Sequence, residues 1–374
     1  MTLREETSAL AAVLETTSSW DDYLNTYQQL ASETLTDLLA QWKKDIFESA
    51  PIPESVFEEV YSYATGGKKS RGALVLLGYQ LAGGGSPSRI LRSSVSYELI
   101  HAAFLIHDDV MDRSLTRRHA PTAHLAFERL AEQIGHRDPE QFGVSMAINA
   151  GDIAPAIAYN TVCGEDLPPG RIIDGMICLN EIIIATVMGQ FLDVTLSIED
   201  APDEDDVLLI HRLKTANYTV TGALRFGASL AGARKTTEGR ALMDALADFG
   251  DPVGIAFQIQ DDHLGMFASE DDLGKDVSSD LQERKNTLLF LHCLREGTDE
   301  QRETLLAALG HKAEGDDLAR VQAALHESGA AAYSEQRAQQ LVSQGKEAIP
   351  EVTRDERLAA LLKQLADFVV SRGF

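Results

Sequence analysis

Apolar side chains recur every three or four residues over most of the chain, a spacing that places them on one face of an α-helix. The first 50 or so residues show the pattern clearly, at positions that include Trp20, Tyr27, Leu35 and Trp42. No run of residues alternates between apolar and polar for long enough to predict a strand, and no repeat of solenoid length occurs. The pattern therefore predicts an all-α protein built as a single large helical bundle.

Glycine, proline and polar clusters divide this pattern into separate helices. We expect helices at residues 1–50, 57–64, 71–81, 88–111, 123–134, 145–163, 171–196, 207–230 and 237–267. A polar loop is predicted at 136–141 and another at 268–286, and Pro155 should kink its helix. Residues 287–372 are predicted to be helical, with breaks at Gly310 and near Pro350. The whole chain, residues 1–374, is predicted to be one domain.

The formal net charge of −25 argues against nonspecific binding to nucleic acid or to an anionic membrane surface. Three cysteines, Cys163, Cys178 and Cys293, lack the spacing of a zinc site, and their number is odd. We interpret them as buried thiols of a cytoplasmic protein. The N-terminus has no basic start followed by an apolar run, so no signal peptide is expected.

The most apolar stretch of the chain runs from Ile172 to Val187. Asp174, Asn180 and Glu181 interrupt it, which makes it too short and too polar to predict a membrane span. We expect a buried helix here and no membrane-spanning segment.

Acidic residues follow two strongly apolar runs. Asp108, Asp109 and Asp112 come after the first run, and Asp261 and Asp262 come after the second. With about 3.6 residues per turn, Asp108 and Asp112 share one face of a helix. Carboxylates at the end of a buried helix face are costly to hold without cations, and Mg²⁺ prefers oxygen ligands. The two sites therefore predict a magnesium centre that lies between two helices.

Cations cluster beside these motifs and at a helix start that two glycines precede, where backbone N–H groups favour anions. They are Lys68, Lys69, Arg71, Arg117, Arg118, Lys214, Lys275, Arg284 and Lys285. In a chain of charge −25 they are the places that could attract a diphosphate.

Taken together and in this order, the motifs resemble the trans-polyprenyl diphosphate synthase family, with an actinobacterial-like, short-chain pattern. The resemblance covers about residues 66–290, with the helices of 1–65 and 291–374 packing on that core. The motifs that carry it are 66–71 (GGKKSR), 108–112 (DDVMD), 114–118 (SLTRR), 121–122 (PT), 189–193 (GQFLD), 214–216 (KTA), 257–262 (FQIQDD), 274–275 (GK), Asp280 and Lys285. The resemblance implies the isoprenoid synthase fold around a central cavity, and usually a homodimer.

It also implies a function, the Mg²⁺-dependent head-to-tail condensation of isopentenyl diphosphate with an allylic diphosphate. Asp108, Asp112 and Asp261 would bind three Mg²⁺ ions. Residues expected to bind the allylic diphosphate are Arg117, Lys214, Lys275 and Lys285, and those for isopentenyl diphosphate are Lys68, Arg71, His101 and Arg118. Lys214, Thr215 and Gln258 would act where the carbocation develops.

Two further features concern the third metal and the product. The second acidic motif has Gly265 where the family commonly has a third Asp, so the third metal is left to Asp261. Ala103 and Phe104 lie before Asp108, where bulk limits chain length in this family. We expect a short all-trans product, geranylgeranyl diphosphate before farnesyl or longer chains.

The alternative functions are a class I terpene cyclase, which needs no isopentenyl site, and a non-catalytic subunit of a heteromeric synthase.

Overall fold

The computed structural model describes residues 3–47, 54–196, 202–268 and 277–371. These residues are mainly helical, which confirms the all-α prediction. The chain forms two compact units that are interleaved in sequence. One unit comprises Met1–Cys178, Ala223–Met243 and Asp355–Leu361, and the other Leu179–Gly222, Asp244–Arg354 and Leu362–Phe374. That the whole chain forms a single domain stays a prediction.

The first unit takes most of its helices from the N-terminal half. They are α1 (Leu3–Thr16), α2 (Trp20–Phe47), α3 (Glu54–Thr65), α4 (Ser70–Leu81), α5 (Leu91–Met111), α6 (Ala123–Gln133) and α7 (Pro139–Cys163), with a two-stranded antiparallel sheet, β1 (Thr116–Arg117) and β2 (Ala120–Pro121). A 3₁₀ turn, Pro87–Ile90, precedes α5.

Helix α5 lies at the centre of the first unit, because its sequence is apolar or small on nearly every side. Val95, Leu99, Ala102 and Ile106 are fully buried, and α3, α4 and α7 pack around the helix. The Asp-rich motif begins in the last turn of this buried helix and ends at its C-cap, Asp112, so its carboxylates are held on a rigid element.

The rest of the chain contributes α8 (Pro169–Thr195), α9 (Glu204–Ile210), a π-helical segment (His211–Thr221), α10 (Gly222–Ala231), a 3₁₀ turn (Ala233–Lys235) and α11 (Thr237–Phe267). The C-terminal helices are α12 (Ser279–Gln282), α13 (Leu288–Glu296), α14 (Asp299–Ala308), α15 (Gly315–Glu327), α16 (Ala330–Glu347), α17 (Ile349–Val352) and α18 (Glu356–Ser371). Helices α4, α6, α8 and α11 agree with the predicted ranges to within two residues.

Several predicted boundaries were wrong. The N-terminal region holds two helices instead of one. Helix α7 begins at Pro139, inside the predicted loop, because Asp138 accepts a hydrogen bond from the backbone N–H of Gln141 and proline suits the first helical turn. The helix continues through Pro155. The short strands β1 and β2 were not predicted, since two residues carry no detectable alternation.

The predicted helix 207–230 is also different. Its middle, His211–Thr221, has π-helical hydrogen bonding, which occurs often at functional sites. The breaks at Gly310 and near Pro350 are both confirmed, the second because α16 ends at Glu347 and α17 begins at Ile349. Residues 269–276 of the predicted loop lie outside the described residues.

Helix α8 corrects the expectation of a buried, too-short segment. It has 27 residues and, judged by length and composition only, is long and apolar enough to cross a membrane. Ile184, Phe191 and Val194 are 64, 61 and 69% exposed, while Cys178, Leu179 and Ile182 are buried. The helix therefore has one packed face and one exposed apolar face, and its length by itself is weak evidence for a span.

Glycines bring helices α4 and α10 into backbone contact within the first unit. A Cβ on Gly78 would lie 2.0 Å from the carbonyl oxygen of Leu224, and one on Gly227 would lie 1.9 Å from the carbonyl oxygen of Val75. Neither backbone oxygen is able to move away without displacing its helix.

We predict that Gly78→Ala lowers the free energy of unfolding by about 1–3 kcal/mol, because the added methyl group forces α4 and α10 apart. The control is Gly170→Ala in α8, where a Cβ meets nothing within 4 Å. This control should leave stability unchanged or raise it by up to about 1 kcal/mol. Urea unfolding followed by circular dichroism measures both, and equal stabilities for the two variants would contradict the close packing.

Candidate active site

The three carboxylates at the end of α5 differ in their surroundings. Asp108 and Asp112 are half-buried, whereas Asp109 is fully buried. The Nε–H of Arg117 lies 2.7 and 2.9 Å from the two carboxylate oxygens of Asp109, and Nη2 donates to Oδ1 at 2.5 Å. The Tyr63 hydroxyl also donates to Asp109, at 2.7 Å. Asp109 thus serves as an internal partner of Arg117 and Tyr63, and metal binding by Asp108 and Asp112 stays a prediction.

The ion pair fixes the charge state of Arg117. Burial lowers the pKa of its guanidinium, but the hydrogen bonds and charge of Asp109 more than compensate and raise the pKa above its ordinary value. A guanidinium has five N–H donors, so one that binds a carboxylate with part of its fork still has donors for a phosphate.

Arg118 occupies the space that the glycine pair before α4 provides. A Cβ on Gly66 would lie 1.9 Å from its Nη1, and one on Gly67, where φ is 77°, would lie 2.8 Å from its Nη2. The guanidinium also donates to the carbonyl oxygen of Tyr63 at 3.2 Å. The two glycines therefore make room for an arginine as well as preceding a helix.

Lys69, one of the clustered cations, binds backbone carbonyl groups. Its ammonium group donates to the carbonyl oxygens of Ala64 and Gly66, both at 3.2 Å, and to that of Thr65. These carbonyls belong to the end of α3 and the turn after it, which Lys69 therefore caps. Burial lowers the pKa of this lysine. Lys69 is thus a structural cation, and the neighbouring Lys68 is exposed.

Arg71 and His101 are brought together, as the sequence predicts. Arg71 Nη1 lies 3.3 Å from His101 Nε2. Burial, and then the charge of Arg71, hold the pKa of His101 well below its ordinary value of 6.5, so the imidazole is neutral. It is therefore able both to donate and to accept a hydrogen bond.

Glu98 is a buried residue of this cluster that was not predicted. Its carboxylate accepts a hydrogen bond of 2.8 Å from the backbone N–H of Gly72, in the first turn of α4. Burial raises the pKa of Glu98, while Arg71 and Lys69 act in the opposite direction. The sequence does contain a signal for Glu98, because it is a single acidic residue before the apolar run of α5 that leads to Asp108.

The positions expected to limit product length lie on the same helix. Ala103 is buried, at 3% exposure, and Phe104 is half-buried one turn before Asp108. Their role stays a prediction.

The second unit holds the remaining predicted residues, again in a hydrogen-bonded arrangement. Lys214, in the π-helical segment, forms an ion pair of 2.7 Å with Asp193 of α8. The Thr215 hydroxyl donates to the Gln258 side-chain oxygen at 2.7 Å, and the Gln258 amide donates to Asp262 at 2.6 Å. The π-helical segment and α11 therefore place Thr215 and Gln258 in direct contact.

Asp262 has a buried partner on its other side. His211 Nε2 lies 3.3 Å from Asp262 Oδ2, and both residues are nearly inaccessible to solvent. Burial lowers the pKa of His211 to about 4 and, with the charge of Asp280, raises the pKa of Asp262 well above its ordinary value. Burial thus favours the uncharged form of both groups. Asp261 is half-buried and is the carboxylate of this motif suited to a metal.

The place of the missing third Asp is occupied. A Cβ on Gly265 would lie 2.9 Å from Asp280 Oδ2. Asp280 in turn contacts Lys285 at 3.1 Å, and Lys285 also contacts Glu283 at 2.7 Å. A second carboxylate therefore lies beside the motif although the motif itself lacks it.

Two predictions, the role of Lys275 and the metal site, concern more than the contacts described above. Lys275 lies outside the described residues. Among the residues that are described, no group of three His, Cys, Asp or Glu side chains converges as a metal site. Mg²⁺ is usually held by one or two carboxylates plus substrate phosphates, a pattern that needs no protein-only cage. That both acidic motifs share one cavity stays a prediction.

Comparison with known proteins agrees with these features. Residues 54–327 match the polyprenyl synthetase family. A geranylgeranyl diphosphate synthase of Methanosarcina mazei is 30% identical, over 88% of this chain and 94% of that protein. A geranylfarnesyl diphosphate synthase of Aeropyrum pernix is 31% identical, over 82% of this chain and 91% of that protein.

A solved structure shows the same fold. It is the geranylgeranyl pyrophosphate synthase of Corynebacterium glutamicum, complexed with isoprenyl diphosphate and magnesium. It is 31% identical to this chain, covers 94% of it and 99% of its own chain, and has a TM-score of 0.86. The fold is thus the isoprenoid synthase fold, and the chain belongs to the polyprenyl synthetase family of prenyltransferases.

Proposed function

We propose that this enzyme condenses isopentenyl diphosphate with an allylic diphosphate, head to tail, and forms geranylgeranyl diphosphate. The observation that carries the proposal is that the three carboxylates at the end of α5 have different surroundings. Asp109 holds Arg117 in an ion pair of 2.5 Å, while Asp108 and Asp112 lie half-buried on the same helix end. Cation-bridged carboxylates beside a fixed arginine suit a diphosphate leaving group.

Magnesium fits the donor set. Asp108, Asp112 and Asp261 offer hard oxygen ligands on rigid helices, and the Corynebacterium glutamicum protein was solved with magnesium. We propose that these residues hold three Mg²⁺ ions together with the allylic diphosphate. Bound magnesium would supply Lewis-acid stabilisation of the departing diphosphate.

Four cations are proposed to bind that diphosphate. Arg117, Lys214 and Lys285 are held by Asp109, Asp193 and Asp280. These pairs fix the positions of the cations in a strongly acidic chain, so less ordering is needed when the ligand binds. Lys275, outside the described residues, is proposed for the same role.

Isopentenyl diphosphate would bind at the start of α4 and the end of β1, through Lys68, Arg71, His101 and Arg118. The neutral imidazole of His101 beside Arg71 suits a diphosphate oxygen as a donor. Such a second anion site favours the synthase over a terpene cyclase, which has no need of it. Both acidic motifs are present, which favours an active subunit over a non-catalytic one.

Hydrogen bonds link Thr215 to Gln258 and Gln258 to Asp262, and they orient the polar groups beside the place where the carbocation would form. Because the Gln258 amide donates to Asp262, its oxygen is oriented towards the Thr215 hydroxyl. Oxygen dipoles fixed in this way would stabilise the developing positive charge. The Lys214 ammonium, held by Asp193, would guide the departing diphosphate. The double bond of isopentenyl diphosphate attacks the cation, and the proton lost goes to the released diphosphate. Apolar helix walls keep water from the cation.

We propose further that the enzyme is a cytoplasmic homodimer. The exposed face of α8 forms one apolar stripe, made of Ile173, Ile177, Ile184, Val187, Met188, Phe191 and Val194. The opposite face packs within the protein, where a Cβ on Gly189 would lie 2.4 Å from the backbone of Lys214. A helix packed on one side and apolar on the other suits a second copy, whose identical stripe covers it across a two-fold axis.

To test the catalytic proposal, purified protein is incubated with isopentenyl diphosphate, Mg²⁺ and each of three allylic diphosphates, and products are identified by mass spectrometry. The wild type should yield a prenyl diphosphate. Asp108→Ala should reduce turnover by at least about a hundredfold, because a charge that holds the leaving group's cation is lost. The control, Asp316→Ala, removes an exposed carboxylate in α15 and should retain full activity. Near-wild-type turnover of Asp108→Ala would contradict the metal assignment.

Product length tests Phe104. We predict that Phe104→Ala lengthens the main product by one or more isoprene units, since the ring lies one turn before Asp108. Ile148→Ala, which truncates an exposed side chain on α7, is the control and should leave the distribution unchanged. An unaltered product from Phe104→Ala would place the limit of chain length elsewhere.

The dimer proposal is tested by light scattering after size exclusion. The wild type should have twice the mass of one chain, and the double variant Ile184→Glu/Phe191→Glu should be monomeric, because charges then face each other across the stripe. Leu306→Glu, at another exposed apolar position, should stay dimeric. A monomeric wild type would overturn the proposal, and cosedimentation with phosphatidylcholine vesicles would show that a membrane covers the stripe instead.

A further inference from the structure

Tyr63 is linked by hydrogen bonds to both arginines that follow the first acidic motif, to Arg118 directly and to Arg117 through Asp109. It lies on α3, and its side chain is buried, with an exposed fraction of 6% for the residue. Its hydroxyl donates to Asp109 at 2.7 Å and accepts a hydrogen bond of 3.1 Å from the backbone N–H of Ala123. Its backbone carbonyl accepts a hydrogen bond from Arg118 at 3.2 Å.

The direction of the bond to Asp109 is fixed. Burial, and then the charge of Asp109, raise the pKa of Tyr63 above its ordinary value of 10. The hydroxyl therefore stays protonated and must donate to the carboxylate, because Ala123 supplies the hydrogen bond that it accepts. A buried carboxylate that loses one of its donors is left partly unsatisfied and is free to shift.

Asp109 transmits this constraint to Arg117. Its carboxylate receives both Nε and Nη2 of the guanidinium, so the plane of the guanidinium follows the plane of the carboxylate. A rotation of Asp109 would therefore turn the donors of Arg117 away from a ligand, although neither residue would be lost.

We propose that Tyr63 is a positioning residue that aligns Arg117 for the allylic diphosphate through its hydroxyl and Arg118 for isopentenyl diphosphate through its carbonyl. The proposal rests on the function proposed above for the two arginines. The two contacts use different atoms of one residue, the side-chain hydroxyl and the backbone carbonyl, so a substitution is able to remove one contact and keep the other. Replacing Tyr63 by Phe removes the hydroxyl and keeps the ring, the helix and the carbonyl.

The test is the steady-state kinetics of Tyr63→Phe with each substrate varied in turn. The KM for the allylic diphosphate should rise about tenfold, the value expected for one hydrogen bond to a charged group. The KM for isopentenyl diphosphate should stay unchanged, because the carbonyl of residue 63 still accepts from Arg118. A merely structural role would instead lower the active fraction, and hence kcat, and leave both KM values alone.

Tyr61→Phe is the matched control. Tyr61 lies on the same helix, is 40% exposed, and its hydroxyl contacts Thr36 at 3.2 Å. It should behave as the wild type. Calorimetric titration with Mg²⁺ and a non-reactive allylic thiodiphosphate gives a second measurement, in which Tyr63→Phe should bind about tenfold more weakly.

Failure of this inference is distinguishable from failure of the proposed function. If the wild type makes a prenyl diphosphate but Tyr63→Phe leaves the allylic KM unchanged, or raises both KM values equally, the positioning role is wrong. If the wild type makes no prenyl diphosphate, the proposed function itself fails. Thermal melts of both Phe variants exclude unfolding as the cause of either result.

Discussion

The buried Asp109 carboxylate is the contact on which the first acidic site depends. An isolated carboxylate with no exposure would be strongly destabilising, so its position requires donors on every side. Arg117 and Tyr63 supply them from β1 and α3. One buried charge thus ties a loop and two helices together. The neighbouring carboxylates, Asp108 and Asp112, are consequently displayed at the end of a rigid helix.

The same logic resolves an apparent contradiction in the charge of the protein. A chain of net charge −25 is a poor receptor for two diphosphates unless its cations are concentrated. Arg117, Lys214 and Lys285 each lie against a carboxylate, so their positions are set before any ligand arrives. The accompanying acids lower the local positive potential around these cations. Bound magnesium would restore positive charge at the same places. Acidic composition and anionic substrates are therefore compatible.

Much of the fold follows from local pattern alone. Helices α4 and α11 were predicted almost to the residue, because apolar periodicity and flanking glycine or polar clusters define their ends. The start of α7 was missed although Asp138 and Pro139 are ordinary start signals, since the polar composition of the region outweighed them. The π-helical segment was not predicted, because apolar periodicity over 11 residues does not distinguish i→i+5 from i→i+4 hydrogen bonding.

The site was predictable as a set of residues and not as a set of contacts. Motif order proposed the acids and cations as candidates, but it did not show that the Lys69 side chain caps α3. It also overlooked Tyr63 and Glu98, whose partners lie 46 and 26 residues away in sequence. Such partners depend on which helices meet, and no local pattern records this. Gly265 shows the same principle in reverse. A missing side chain in one motif is matched by a carboxylate, Asp280, from another segment, so the chemistry of the second acidic site belongs to the packed structure and not to the motif.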